Sequence, residues 1–211
     1  MHSHISILDI RRRIPNDIFT SLELNLLLEG YRNSGAKIAD FLRKGEIIPL
    51  RRGLYVFAEP LRKGILSSGH IANRIYGPSY VSEDFALSWH GLIPEFPAVI
   101  TSISMGRSRK FSNAFGHFSY RYCRSAAYPV GVLLTGEEKG RFLLASPFKA
   151  LYDKALNDAR WQGEDPECYL VEDLRVDLEA LKEKNDHDTL HELAPFMTGR
   201  MKKLHAFLST L

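Results

Sequence analysis

Apolar residues recur every three or four positions through the first part of the chain, the period of helices with one buried face. The first such run covers residues 5–13 and is stopped by Pro15. Thr20 and Glu23 then form a T-x-x-E capping box ahead of Leu24, Leu27 and Leu28, with Gly30 as the expected stop. A third helix is expected over SGAKIADFLR, capped by Ser34, with Ile38, Phe41 and Leu42 on one face and Gly45 ending it. The rhythm then changes. Two short apolar runs, IIPL and LYVF, flank Arg51-Arg52-Gly53, as in a β-hairpin whose first strand carries Pro49 and so belongs at a sheet edge.

From Gly64 onward, helices and strands alternate. A helix is expected over residues 65–76, stopped by Gly77-Pro78, then a short strand at Tyr80-Val81. Ser82 would cap a further helix that starts with Glu83 and Asp84 and ends at Gly91. Strands follow over 99–104, 118–123, 131–134 and 141–145. Ser146-Pro147 starts a helix with Phe148, Leu151, Tyr152 and Ala155 in one stripe. Beyond the polar stretch QGEDPE, amphipathic helices are expected over 171–184, 189–197 and 201–209. The pattern therefore predicts an α+β protein: an N-terminal winged helix-turn-helix (residues 1–62), a mixed α/β domain (63–162) and a helical C-terminal extension (163–211).

Composition narrows the picture. The 211 residues are 45% hydrophobic and 25% charged, as in folded proteins. No apolar run approaches a membrane span, and the opening stretch lacks a secretory h-region, so a cytoplasmic protein without membrane contact is expected. Cys123 and Cys168 are far apart, which gives neither a disulfide framework nor a zinc ribbon. Charge is unevenly spread. Residues 1–63 hold 11 Lys and Arg against 7 Asp and Glu, residues 64–160 again 11 against 7, and residues 161–211 only 6 against 11. Any polyanion contact is therefore expected in the first two segments.

The candidate chemistry follows that distribution. Lys37, Arg43 and Lys44 on the third helix, with Arg51 and Arg52 at the hairpin tip, are placed to meet a DNA duplex. Arg11-Arg12-Arg13 suits a backbone-gripping arm or a solvated helix end. Arg107, Arg109 and Lys110 form a basic loop which, with Arg121 and Arg124, could make a second phosphate-holding surface or simply solubilise the loop. His187 and His191 stand four apart without an HExxH pattern, so no metal is expected, and His90 is read as complementing a helix end. Neither GxSxG, a P-loop nor GxGxxG occurs. Glu137-Glu138 reads as turn chemistry, so neither catalysis nor a cofactor is expected.

Four blocks in order, GEIIPLRRGLYVF, ANRIYGPSYVSEDFALSWHGLIPE, ITSISMGRSRKFSNAFGHFSYRYC and LLASPFKALYDKAL, resemble the AbiEi family of antitoxins and transcriptional regulators. The resemblance spans about residues 30–160. It implies a winged helix that binds inverted repeats of operator DNA upstream of its own operon. It also implies a C-terminal domain that counteracts a nucleotidyltransferase toxin without a required stable complex, in a type IV toxin–antitoxin (abortive infection) system. By the same resemblance, Lys37, Arg43, Arg51 and Arg52 are the DNA-contacting residues. Phe148 departs from the family's acidic residue in SPEKAL, and Glu83 from an apolar residue or serine. Three rival functions fit the same sequence: a stand-alone regulator, a protein-interaction module, and a Mg²⁺-dependent nuclease using the 107–110 loop.

Overall fold

The computed structural model describes residues 5–123, 126–137 and 140–211. The protein is mixed α+β, and none of its described helices is long and apolar enough to cross a membrane.

The N-terminal unit runs α1 (Ile7–Arg13), β1 (Ile18–Thr20), α2 (Ser21–Leu27), α3 (Ser34–Arg43), β2 (Ile47–Arg51) and β3 (Leu54–Phe57). Local chemistry sets most of these boundaries. Ser6 and Asp9 form one capping box, and Thr20 and Glu23 form the expected second one. Asn33, not Ser34, caps α3 by accepting from the Ala36 N–H. Helix α2 ends at Leu27, ahead of Gly30, and Tyr31 N–H bonds back to the Leu28 carbonyl. Gly45 ends α3 at φ +66°, as expected. The strands pair antiparallel in the order β1-β3-β2, so Pro49 lies on an edge strand. Strand β1 escaped the sequence reading because it is three residues long and its last residue, Thr20, is itself the α2 cap.

The second unit is built on a six-stranded sheet of order β6-β7-β5-β4-β9-β8. It comprises α4 (Ser68–Ile75), β4 (Ser79–Val81), α5 (Glu83–Trp89), β5 (Val99–Ser104), β6 (Arg109–Asn113), β7 (Gly116–Tyr122), β8 (Val132–Thr135), β9 (Phe142–Ala145) and α6 (Pro147–Asn157). Strand β4 is antiparallel to β5 and parallel to β9, and β5 and β7 are parallel. Alternation along the strands assigns the faces. Tyr120 donates to the Ala72 carbonyl of α4, and Phe142 meets Gly69 on that face. Tyr80, on the opposite face, donates to Asp153 of α6. The basic run expected as a loop is half strand: Arg109 and Lys110 belong to β6, whose polar sequence hides its pairing with β7. Glu138 and Lys139 of the β8–β9 turn lie outside the described residues, as does Arg124.

The C-terminal helices close over α6. They are α7 (Pro166–Cys168), continued by a π-helical turn (Tyr169–Asp173), then α8 (Leu178–Glu183), α9 (His187–Leu193) and α10 (Met201–Leu208). The single helix expected over 171–184 is broken at Arg175, which adopts φ +57°. The break lets Val176 bury, and it lets the Asp177 N–H reach the Leu92 carbonyl before Asp177 caps α8. Tertiary hydrogen bonding overrides the helical period here. Leu181, Leu190, Leu193, Leu204 and Leu208 share one apolar core with Tyr80, Phe148 and Tyr152.

The N-terminal unit has its own smaller core around Ile10, Phe19, Leu24, Phe41 and Phe57. Ile18, Leu50, Leu54 and Val56, however, bury into the larger core, so the other face of the small sheet rests on the second unit. Arg11 joins the same region. Fully inside the fold, it donates to the carbonyls of Leu61 and Ile14 and pairs with Asp17 at 2.5 Å, so it is a staple and not an arm.

Close packing between α4 and β9 gives a direct test. A Cβ placed on Gly69 would lie 2.3 Å from the Phe142 ring. Gly69→Ala is expected to destabilise the protein by about 2 kcal/mol through overpacking, read as a lower urea midpoint, while Gly91→Ala would show strain of φ alone.

Candidate nucleic-acid interface

Helix α3 turns Ile38 and Phe41 into the N-terminal core and leaves Gly35, Ala36, Ala39 and Arg43 exposed. That outer stripe is small and flat, without a bulky side chain before Arg43. Arg32, exposed in the turn before the helix, adds a cation at its N-terminal end that the sequence reading passed over. Lys37 is half-buried, with its ammonium 4.8 Å from the centre of the Phe41 ring. Asp40 pairs with the two cations that follow it on the chain. Its carboxylate binds Arg43 and lies 2.8 Å from Lys44 Nζ. Hydrogen bonding from Lys44, with both positive charges nearby, holds the Asp40 carboxyl below its usual range.

The two arginines of the hairpin separate. Arg51 is turned toward the second unit, where its Nε donates to the carbonyl of Ile75, the last residue of α4, at 2.5 Å. A cation at a helix C-terminus complements the exposed carbonyl dipoles. Arg52 and Gly53 form the two-residue tip, with Arg52 exposed and Gly53 at φ +76°. The tip is held against α2, since Ser21 N–H donates to the Gly53 carbonyl at 2.9 Å. Adjacent in sequence, Arg51 and Arg52 thus serve different surfaces.

The second basic group is also divided. Lys110 lies directly opposite Ser119 on the β6–β7 ladder, and Arg121 is two residues along β7, so all three share the sheet face that carries α5 and α6. Arg109 is opposite Tyr120 on the α4 face. Arg107 is exposed in the turn before β6. Ser108, Arg109, Lys110, Ser119, Tyr120 and Arg121 line a cleft of about 470 Å³ at this end of the sheet.

Sequence reasoning missed the polar interior beside that cleft. Lys149 and Asp153, one turn apart on α6, are both buried and 3.2 Å apart. Lys149 also donates to the Ala127 carbonyl, and Asp153 accepts from Tyr80 and Ser82. Because the Ser82 hydroxyl is committed to Asp153, α5 lacks the side-chain cap expected of it. Glu83 follows at φ +53°, only 2% exposed, 3.1 Å from Arg121 Nε and 3.2 Å from Asn157 Nδ2. Burial pushes its carboxyl up to about 7, against the opposing pull of Arg121. Nothing in the local sequence around Glu83 signals such a buried side chain. His90 ends α5 as expected, but burial lowers its pKa, and its Nε2 meets the Ala145 carbonyl at 2.8 Å. It acts through that bond and not as a helix-end charge. Among the described residues no cluster of His, Cys, Asp and Glu is arranged to hold a metal.

Compared with known proteins, the chain matches no protein-family model and no curated protein.

Glu83 makes stability depend on pH. Its proton is held more tightly in the folded state, so the associated stabilisation is complete below pH 4.5 and lost as pH rises through about 7. Unfolding free energies from urea titrations at pH 5 and pH 7.5 should differ by about 2 kcal/mol more in the wild type than in Glu83→Gln.

Proposed function

We propose that the protein is a non-enzymatic, winged-helix regulator that binds double-stranded DNA through α3 and the β2–β3 hairpin. The observation that carries this reading is the joint placement of α3's outer stripe and the Arg52 tip on one small unit. Small residues at Gly35, Ala36 and Ala39 let a helix approach a groove closely, with Arg32 and Arg43 flanking them. Lys37 lies on the same helix and Lys44 caps its end, and Arg52 adds an exposed cation at the hairpin tip. Arg51 contributes indirectly, by fixing the hairpin on α4. Combined with the AbiEi resemblance, the reading extends to repression of its own operon through inverted repeats and to antagonism of a nucleotidyltransferase toxin.

Asp40 restrains this surface, because it neutralises the two cations that end α3. Fluorescence anisotropy with duplex DNA from upstream of the gene should show an affinity that falls steeply with salt. Arg43→Ala and Arg52→Ala should each weaken binding about tenfold and lower the salt slope by about one. Asp40→Ala should tighten binding, since it removes a competing anion. Duplex retention unaffected by all three substitutions would overturn the assignment.

A second reading, a protein-docking module, is favoured by apolar surface elsewhere. Ile65 and Phe96 are 78% and 80% exposed, and Ile65, Trp89 and Phe142 line a cavity of about 680 Å³. It predicts a stable complex on copurification and no salt-sensitive DNA retention.

A further inference from the structure

The sheet face that carries α5 and α6 is covered over β4 and β9 and open over β7 and β6. At the boundary stands Arg121. One side of its guanidinium is tied down: Nε to the buried carboxylate of Glu83, and Nη1 to the Asn157 carbonyl at 3.4 Å. Those bonds use two of five N–H donors, and the side chain is 45% exposed. Its outer edge therefore faces the cleft that Lys110 and Ser119 also line. Lys110 and Ser119 are cross-strand partners, and Arg121 is the next residue of β7 on the same face. Diagonal neighbours of this kind lie within about 7–8 Å, a spacing that long side chains bridge to hold one tetrahedral anion. An ammonium, a hydroxyl and a guanidinium fork are the donors that bind phosphate.

Glu83 makes this more than a solvated charge pair. It is one of three non-glycine residues with positive φ among those described, it is buried, and it opens a helix without a side-chain cap. A carboxyl held in a strained conformation beside a half-exposed arginine calls for a role. The charged groups around it are Arg121 from β7, Asp84 from its own helix, and Asp153 and Lys154 from α6. Lys154 is already engaged by Asp84 at 2.7 Å. Arg121 is thus the cation that answers Glu83 from the open side.

We propose that the cleft over β6 and β7 is a phosphate-binding site, formed by Lys110, Ser119 and Arg121, in which Arg121 is shared between the ligand and Glu83. A bound phosphate draws the guanidinium outward and weakens its hold on the buried carboxylate, which then takes up a proton from solvent. For a phosphodiester, which does not titrate near neutrality, binding is thereby coupled to proton uptake and affinity falls as pH rises through neutrality. A monoester's own second ionisation, at about 6, opposes this trend. The cleft exceeds the volume of a phosphate ion, so the phosphate belongs to a nucleotide or to a nucleic-acid strand. The proposal holds whether or not α3 and the hairpin tip bind duplex DNA.

Isothermal titration calorimetry of the full chain with inorganic phosphate, a nucleoside monophosphate and a single-stranded octanucleotide tests the proposal. Saturable binding of at least one probe is expected. Buffers of different ionisation enthalpy, compared at pH 7, should show proton uptake that remains after the probe's own phosphate ionisation is subtracted and is absent in Glu83→Gln. Binding of the mononucleotide identifies a nucleotide site, and binding of the octanucleotide alone a strand site. Lys110→Ala, at an exposed position, should weaken binding about tenfold, the effect of a lost charge-assisted contact. Glu83→Gln should tighten it, because the competing carboxylate is gone. Arg121→Ala strands Glu83 and is read only beside the Glu83→Gln/Arg121→Ala double variant, which removes that cost and should still bind weakly. Failure of every probe to bind, or indifference to Lys110→Ala, would overturn the site. Unchanged affinity in Glu83→Gln would overturn the sharing of Arg121.

Discussion

The interaction on which the second unit depends is the buried pair of Lys149 and Asp153 in the middle of α6. An ion pair taken wholly out of water is tolerated only when its remaining donors and acceptors are satisfied. Here the partners come from separate parts of the chain: Tyr80 at the centre of the sheet, Ser82 at the start of α5, and Ala127 in the segment before β8. The aromatic faces of Tyr80 and Tyr152 also lie beside the ammonium. Only one docking of α6 on β4 meets all these demands, so the pair fixes the relative placement of these segments more than it adds to stability.

Consequences spread outward from that point. Ser82, held by Asp153, is unavailable to the first turn of α5, and the chain enters the helix through a left-handed Glu83. Glu83 is thereby brought under the edge of the covering helices, where Arg121 answers it. The same helix α6 receives the Asp186 carboxylate at its N-terminus, which accepts from the Phe148 N–H at 3.0 Å. A negative group at this place suits the helix dipole. It arrives from the C-terminal helices and not from the first turn of α6 itself.

Much of the fold was legible in the sequence because its signals are local. Thr20 with Glu23, Ser146 with Pro147, and the glycines at 45 and 91 mark helix ends through contacts spanning a few residues. What escaped depends on distant partners. Strand β6 looks like a charged loop until β7 pairs with it, and the helix expected over 171–184 breaks because Leu92 offers a carbonyl. The candidate sites were legible only as a collection of cations. Arg51 and Arg52 are alike in sequence, but one faces α4 and the other solvent. Lys149 and Asp153 read equally well as a solvated i, i+4 pair, and nothing in the spacing distinguishes the buried case.

The seat of the small sheet on the second unit also bears on how the chain comes off the ribosome. Once residue 62 has emerged, α1 to β3 can assemble around Phe19 and Phe57, but Ile18, Leu50, Leu54 and Val56 still face water. Their cover, and the Ile75 carbonyl that receives Arg51, arrive later in synthesis. Until then the nascent unit carries an uncovered apolar face, bounded on one side by the proline-bearing strand β2. Pro49 withholds a hydrogen-bond donor at that edge, so the interval before α4 arrives is guarded against pairing with a neighbouring chain.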